Sequence, residues 1–432
     1  MPPPPWPPPP ESTLNLDSEL ENVNSLLEAD NEYAGRIINI VLSGGVFRRL
    51  VSTNQQASAK RRLQLGSISE SRLVFSNATR SSEVVIAGEA FGRYGLSAIN
   101  APGNGASIIV MLPGSPVVTL RHLRFVGGRT DVGYPAIQVV GGSLIIEECV
   151  FESHAAALHA SNGAEVQIVN ARFEGNGNAQ YNGGAIHATS LARVTIVGSK
   201  FTHNQGAEGG AIYAVRSVVD VFNTSLLANR ALSGSGGAIH TVDTTLTLAN
   251  ATLLRDNAAA LNGHSAYLVR GQGRYILAAP LGHYVQGASR CDPSAECSDP
   301  STLAECLVNL AANGCDRVYE GRHLTKLANI VDDPVFPPFC SAGFVGSSLL
   351  PDEQNSVRCS MACPSGKYCE EGSSEPIDCR IGSYCVSGSP LPVPCVPYLS
   401  TSRMSLHSSY VTDTRCPHTF VWQVCPGHVR KS

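Results

Sequence analysis

Through the middle of the chain, short β-branched runs such as EVVIAG (83–88) and SIIVML (107–112) are separated by Gly, Asn and Ser. Apolar and polar positions alternate within them, so the pattern predicts strands and turns. A longer period is superimposed. Phe125, Phe151, Phe173, Phe201, Leu226 and Leu254 recur at intervals of 26, 22, 28, 25 and 28 residues. Two residues before the last five stand Cys149, Ala171, Ser199, Thr224 and Thr252, all small; three residues after them come His154, Asn176, Asn204, Asn229 and Asn257. A second marker runs Ile137, Leu158, Ile186, Ile212, Ile239 and Tyr267. A strand-rich period of this length predicts a solenoid, because no single repeat buries its own apolar face.

Leucine-rich repeats would need a dense leucine ladder, and ankyrin or tetratricopeptide repeats would need helices that the Gly, Thr and Val content opposes. A parallel β-helix fits. Each coil then stacks its strands about 4.8 Å from the next, and like residues form columns. The Phe column fills the core and the small column lets a strand turn. Asn at a bend bonds backbone groups and tolerates a left-handed conformation. The pair Gly-Gly in GGAIHA (183–188), GGAIYA (209–214) and GGAIHT (236–241) permits positive φ and close coil contact. Cys149 falls in the inward small column and reads as a core residue.

The GGAI copies, with F-x-x-N in FEGN and FTHN between them, resemble the repeats of chlamydial polymorphic outer membrane proteins. More broadly, the pattern is similar to the pectin-lyase-like right-handed β-helix superfamily. The resemblance covers roughly 120–270, with weaker coils inferred over 36–119. It implies an all-β fold, a right-handed parallel β-helix solenoid.

The flanks read differently. MPPPPWPPPP opens a polyproline arm (1–12), with neither the basic nor the apolar stretch of a signal peptide. DSELENVNSLLEAD (17–30) predicts a short amphipathic helix, an N-terminal cap over the first coil within 13–66. The β-helix is then expected over 67–285, a cysteine-containing linker over 286–358 with one helix at 299–314, and cysteine-rich repeats with a tail over 359–432. In the last region CPSGKYCEEGSSEPID is followed by CRIGSYCVSGSPLPVP and CVPYLSTS, so Cys363, Cys379 and Cys395 are spaced by 16 residues. These units resemble ephrin-receptor-like cysteine-rich repeats, and FCSAGFVG (339–346) resembles a degenerate earlier copy.

Composition adds the compartment. Of 14 cysteines, all but Cys149 lie between Cys291 and Cys425. Cys291, Cys297, Cys306, Cys315, Cys340, Cys359, Cys363, Cys369, Cys379, Cys385, Cys395, Cys416 and Cys425 are the disulfide candidates, with connectivity open. Such density predicts an oxidising, extracellular or cell-surface location, the chain being a fragment of a longer secreted protein or lacking its true start. Asn77, Asn223 and Asn250 begin N-glycosylation sequons that suit this location. A net charge of −4 gives no nucleic-acid footprint, Lys60-Arg61-Arg62 reads as a solvated loop, and no apolar run is long enough for a transmembrane segment.

The chemistry is sparse. Asp131, Asp220, Asp243 and Asp256 sit at different offsets from the repeat markers, so they are not expected to converge as a calcium or hydrolytic site requires. Glu152 and Glu174 each follow a marker Phe and should stack on adjacent coils as an exposed pair. No catalytic residue, cofactor or metal site is assigned. The column after the marker isoleucine is the candidate site: Gln138, His159, His187, Tyr213, His240 and Tyr267 are expected to point outward from one sheet. The rings could form a platform for sugars, or simply stack well along a β-ladder. The expected function is a non-enzymatic structural or adhesion protein that binds an extracellular glycan or surface protein. A polysaccharide lyase or hydrolase and a signalling-receptor ectodomain are the alternatives.

Overall fold

The computed structural model describes residues 107–127, 134–276, 278–285, 335–350 and 353–395, with Ser76 and short strands at 14–15, 37–42, 46–48, 73–75, 83–88, 97–100 and 324–326. The helices expected at 17–30 and 299–314, Asn77, Asp131, the basic run 60–62 and the cysteines at 291, 297, 306, 315, 416 and 425 lie outside the described residues. Among those described there is no α-helix. The fold is an all-β right-handed parallel β-helix followed by a disulfide-bonded region, and the chain folds as two compact units.

In the first unit each coil contributes one strand to each of three parallel sheets. One coil runs Ile137–Val140, Ser143–Glu147 and Val150–Glu152, and the next runs Leu158–Ser161, Glu165–Val169 and Arg172–Glu174. The first sheet continues through Ile186–Thr189, Ile212–Val215, Ile239–Val242 and Ala266–Val269. The second passes through Arg193–Val197 and Val218–Phe222, and the third through Lys200–Thr202, Ser225–Leu227 and Leu253–Arg255. The third sheet ends on an antiparallel strand, Val335–Phe336, which pairs with Leu254 and Arg255.

Register follows the sequence columns. Phe125, Phe151, Phe173 and Phe201 are paired across successive coils, and Leu226 and Leu254 continue the row. The four rings stack face to face with centroids 4.7, 4.8 and 4.7 Å apart, all fully buried. That spacing is the inter-strand distance itself, so flat rings in register fill the core without voids. The expected isoleucine marker at Tyr267 is corrected: Ile239 pairs with the buried Ala266, and Tyr267 pairs with His240 in the adjacent column.

The Asn column is a buried amide ladder. Asn204 Nδ2 donates to Phe173 O at 3.0 Å and to Asn229 Oδ1 at 3.0 Å, while its own Oδ1 accepts from Asn176 N and Nδ2 at 3.1 and 3.0 Å. Asn229 repeats the arrangement toward Asn257. At the head of the row, His154 N donates to Asn176 Oδ1 at 3.1 Å. The left-handed residue of the bend is not the Asn, as expected, but its predecessor: Ser153, Gly175, His203, Ala228 and Asp256 have φ of 59, 60, 55, 53 and 58. The Asn itself stays free to direct its side chain inward.

The small column forms a second ladder. Ser199 Oγ accepts from Ala171 N at 3.1 Å and donates to Val197 O at 3.0 Å; Thr224 Oγ1 accepts from Ser199 N at 3.2 Å. Cys149, fully buried, bonds the carbonyls of Leu120 and Glu147 instead. Burial pushes its thiol up to about 12, so thiolate is absent at neutral pH. Native protein should therefore leave Cys149 unmodified by a thiol reagent, with labelling appearing only in denaturant; labelling of the folded chain at Cys149 on mass mapping would contradict this burial.

The Gly-Gly step has the predicted cause. Gly183, Gly209 and Gly236 have φ of 68, 59 and 74. At the second glycine the constraint is space: a Cβ on Gly184 would lie 2.7 Å from Asn176 O and closer still to Gln205 O.

The second unit holds antiparallel two-stranded hairpins. Phe344–Val345 pairs with Met361–Ala362, Lys367–Tyr368 with Ile377–Asp378, and Ser383–Tyr384 with Val393–Pro394. Disulfides join Cys340 to Cys359, Cys363 to Cys369 and Cys379 to Cys385, and Cys395 is also disulfide-bonded. Cys340 reaches Cys359 because Gly346 occupies the place where the later units carry their second cysteine. The buried clusters are small, Val345 with Cys363 and Cys369, and Tyr368 with Cys379 and Cys385, so the cross-links replace a core.

Candidate functional site

The first sheet brings the candidate column into register. Gln138 pairs with His159, His159 with His187, His187 with Tyr213, Tyr213 with His240 and His240 with Tyr267. Their neighbours on the strands, Ile186, Ala188, Ile212 and Ala214, are fully buried, which places the rings on the opposite face. His159 and His187 stack at 5.0 Å, and each later pair meets edge to face, at 5.2, 5.3 and 5.3 Å.

The face is less open than alternation alone predicts. His159, His187, Tyr213 and Tyr267 are half-buried, and His240 is only 4 % exposed. The chain entering the first sheet carries polar side chains to these rings. Asn182 Oδ1 accepts from Glu208 N at 3.2 Å, and the side chains of both Asn182 and Glu208 reach the Tyr213 hydroxyl. His240 Nδ1 lies 3.5 Å from Glu208 Oε2, an ion-pair distance without hydrogen-bond geometry, and His240 Nε2 has no protein partner among the described residues. Glu208 keeps 37 % of its side chain exposed. The result is a row of rings with one carboxylate fixed beside its middle.

Burial keeps the imidazoles neutral. Desolvation lowers His187 to about 4, with the adjacent His159 adding to the shift, and lowers His159 and His240 as well. Glu208 opposes the shift at His240. Burial, then the charge of Glu208, raises the Tyr213 hydroxyl. At neutral pH the column therefore offers uncharged π-faces, ring N–H and O–H groups, and one anionic acceptor.

The described acids that the sequence singled out are paired with arginines. Glu152 and Glu174 do pair across adjacent coils, but Arg124 bonds Glu152 at 2.6 Å and Arg172 bonds Glu174 at 2.9 Å. Asp220 sits on the second sheet with Arg193, Asp243 at the turn before that sheet with Arg270, and Asp256 at the bend after the third with Arg255. Each of these three aspartates thus has its own arginine at a different place on the coil. Among the described residues no three His, Cys, Asp or Glu side chains are grouped to hold a metal. Asn223 is exposed at a left-handed turn, and Asn250 is half-buried at another.

Residues 108–277 match the family described as a right handed beta helix region. The matched stretch spans the whole ring column and the Phe and Asn ladders. No curated protein matches the chain, and no solved structure does. No helix among the described residues is long and apolar enough to cross a membrane. Within the β-helix region, sequence reasoning missed Glu208 and Asn182. Neither has a counterpart of the same type one coil away, so neither stands out as a column.

Proposed function

We propose that the chain is a non-enzymatic extracellular or cell-surface protein, a rigid β-helix that binds a glycan or surface protein along its column of rings. The observation that carries this reading is the register of His159, His187, Tyr213, His240 and Tyr267 on five consecutive strands of one sheet. The half-buried rings of His159, His187, Tyr213 and Tyr267 offer a row of faces and edges, on which sugar C–H groups or apolar side chains pack. Glu208 beside Tyr213 supplies a fixed acceptor for a ligand hydroxyl or amide. The disulfides of the second unit support an oxidising location. Weak contacts repeated along a rod sum through avidity, which suits adhesion.

A lyase or hydrolase reading would need a second free carboxylate or a bound cation facing Glu208, and the described acids nearest in kind are paired with arginines. A glycan array and a cell-surface pull-down with the intact chain test the proposal. His187→Ala with Tyr213→Ala should lower binding by about tenfold or more, while the solenoid's circular dichroism is kept. Undiminished binding by the double variant would remove the ring column from the interaction.

A further inference from the structure

The disulfide-bonded array contains a unit that has no cysteine. Three units share one geometry. The glycine three residues after the first cysteine has positive φ, 88 at Gly343, 83 at Gly366 and 86 at Gly382. Its carbonyl accepts from the first cysteine of the next unit: Cys363 N to Gly343 O at 2.9 Å, Cys379 N to Gly366 O at 3.0 Å and Cys395 N to Gly382 O at 2.8 Å. Its amide donates to the residue six places after the next unit's first cysteine, Gly343 N to Cys369 O and Gly366 N to Cys385 O, both 2.8 Å. A tight turn precedes each strand, Phe344 N to Ser341 O, Lys367 N to Pro364 O and Ser383 N to Arg380 O, at 3.1, 3.1 and 3.0 Å.

Residues 279–285, APLGHYV, make every one of these contacts. Gly282 has φ of 78. Cys340 N donates to Gly282 O at 2.9 Å, Gly282 N donates to Gly346 O at 2.8 Å, and His283 N donates to Pro280 O at 3.1 Å. His283 pairs antiparallel with Phe339, one residue before Cys340, just as Lys367 pairs with Asp378 one residue before Cys379. Aligned this way, Ala279 and Val285 take the places of Cys363 and Cys369, and both are buried, at 0 % and 3 % exposed. Tyr284 takes the place of Tyr368 and Tyr384.

Gln354 supplies what the missing cross-link does not. Its Nε2 donates to Ala279 O at 2.8 Å, its Oε1 accepts from Ala279 N at 2.8 Å, and its backbone carbonyl accepts from Val285 N at 2.8 Å. One buried residue, 1 % exposed, thus ties both ends of the segment.

We propose that residues 279–285 with 338–339 are the founding unit of the array, closed by Gln354 instead of a disulfide, so that reduction opens the later units and leaves this one shut. The same pairing brings Tyr284 N to Pro338 O at 3.0 Å.

Hydrogen exchange of the full chain, with and without a phosphine reductant, tests the device. On reduction the amides of Gly366, Cys379 and Cys395 should lose protection, while those of Ala279 and Val285, which bond Gln354, keep theirs. Gln354→Leu should lower protection at Ala279 by about tenfold, reduced or not. Opening of the Ala279 and Val285 amides together with the others on reduction would overturn the proposal. A second variant tests the alignment independently: Ala279→Cys with Val285→Cys should gain one disulfide, seen as a mass lower by two hydrogens and no added free thiol. If those two positions remain thiols in oxidised protein, they do not occupy the cysteine sites.

Discussion

Asn204→Ala should be among the most damaging single substitutions in the solenoid, costing about 3–5 kcal/mol in chemical denaturation. The side chain makes four ladder bonds, to Phe173 O, Asn229 Oδ1, Asn176 N and Asn176 Nδ2. Removing it orphans the donors on Asn176 and the acceptors on Phe173 and Asn229 in a site with no exposed surface. Each orphan costs its own desolvation, about 1–3 kcal/mol before relaxation. Asp at this position keeps the acceptors and loses the Nδ2 donors, so Asn204→Asp should be as damaging or worse, with an unpaired charge in the core. A midpoint shift for Asn204→Ala no larger than that of an exposed control such as Lys200→Ala would show that the ladder contributes little.

Acid should weaken the β-helix between about pH 6.5 and pH 4. His154 is 3 % exposed and burial lowers it to about 4, and His187 is lowered to about 4 by burial and by His159. Both imidazoles fold neutral. Below 6.5 the unfolded chain takes up protons that the folded chain refuses, so stability falls as pH falls and levels off below about 4. For His154 the span from 6.5 to about 4 corresponds to roughly 3 kcal/mol at about 1.4 kcal/mol per pH unit. His187 is half-buried and should contribute less. The penalty at His154 has a plain source, since its Nε2 has no partner among the described residues and the only nearby acid opposing the shift is Glu152. Thermal melts from pH 7.5 to 4 read the effect, and His154→Gln or His154→Leu should flatten the curve. A melting temperature unchanged across that range would mean that both histidines are hydrated in the folded chain.

The legibility of this fold follows from its symmetry. Phe151, Phe173 and Phe201, and Asn176, Asn204 and Asn229, are visible in the sequence because stacking coils in register demands the same residue at the same place. The rings from His159 to Tyr267 are legible for the same reason. Their partial burial is not. It depends on residues such as Asn182 and Glu208, which share the place before the repeated glycine with Ser235 and Asn262 but change type from coil to coil, so the column carries no residue signature. Tyr267 misleads as a marker because Ala266, the inward residue, gives no signal beside it. The left-handed residues escape notice because Ser, Gly, His, Ala and Asp all serve there; the backbone repeats from coil to coil while the side chain does not. The unit at 279–285 is hidden for the opposite reason: its register is that of a cysteine motif, and it lacks the cysteines.

The amide ladder also bears on how long this rod can be. Asn204 offers to Asn176 what Asn229 offers to Asn204, so the boundary between any two of these coils is chemically the same boundary. Ala185 precedes Ile186 as Ala211 precedes Ile212, so excising 186–211 would join residues that already have identical neighbours. The protein would lose one coil, about 4.8 Å of axis, and keep its core and amide columns in register, losing the Glu208 carboxylate beside the rings. Length is thus a quantity that duplication or loss of a gene segment could adjust coil by coil, without any new interface having to be invented.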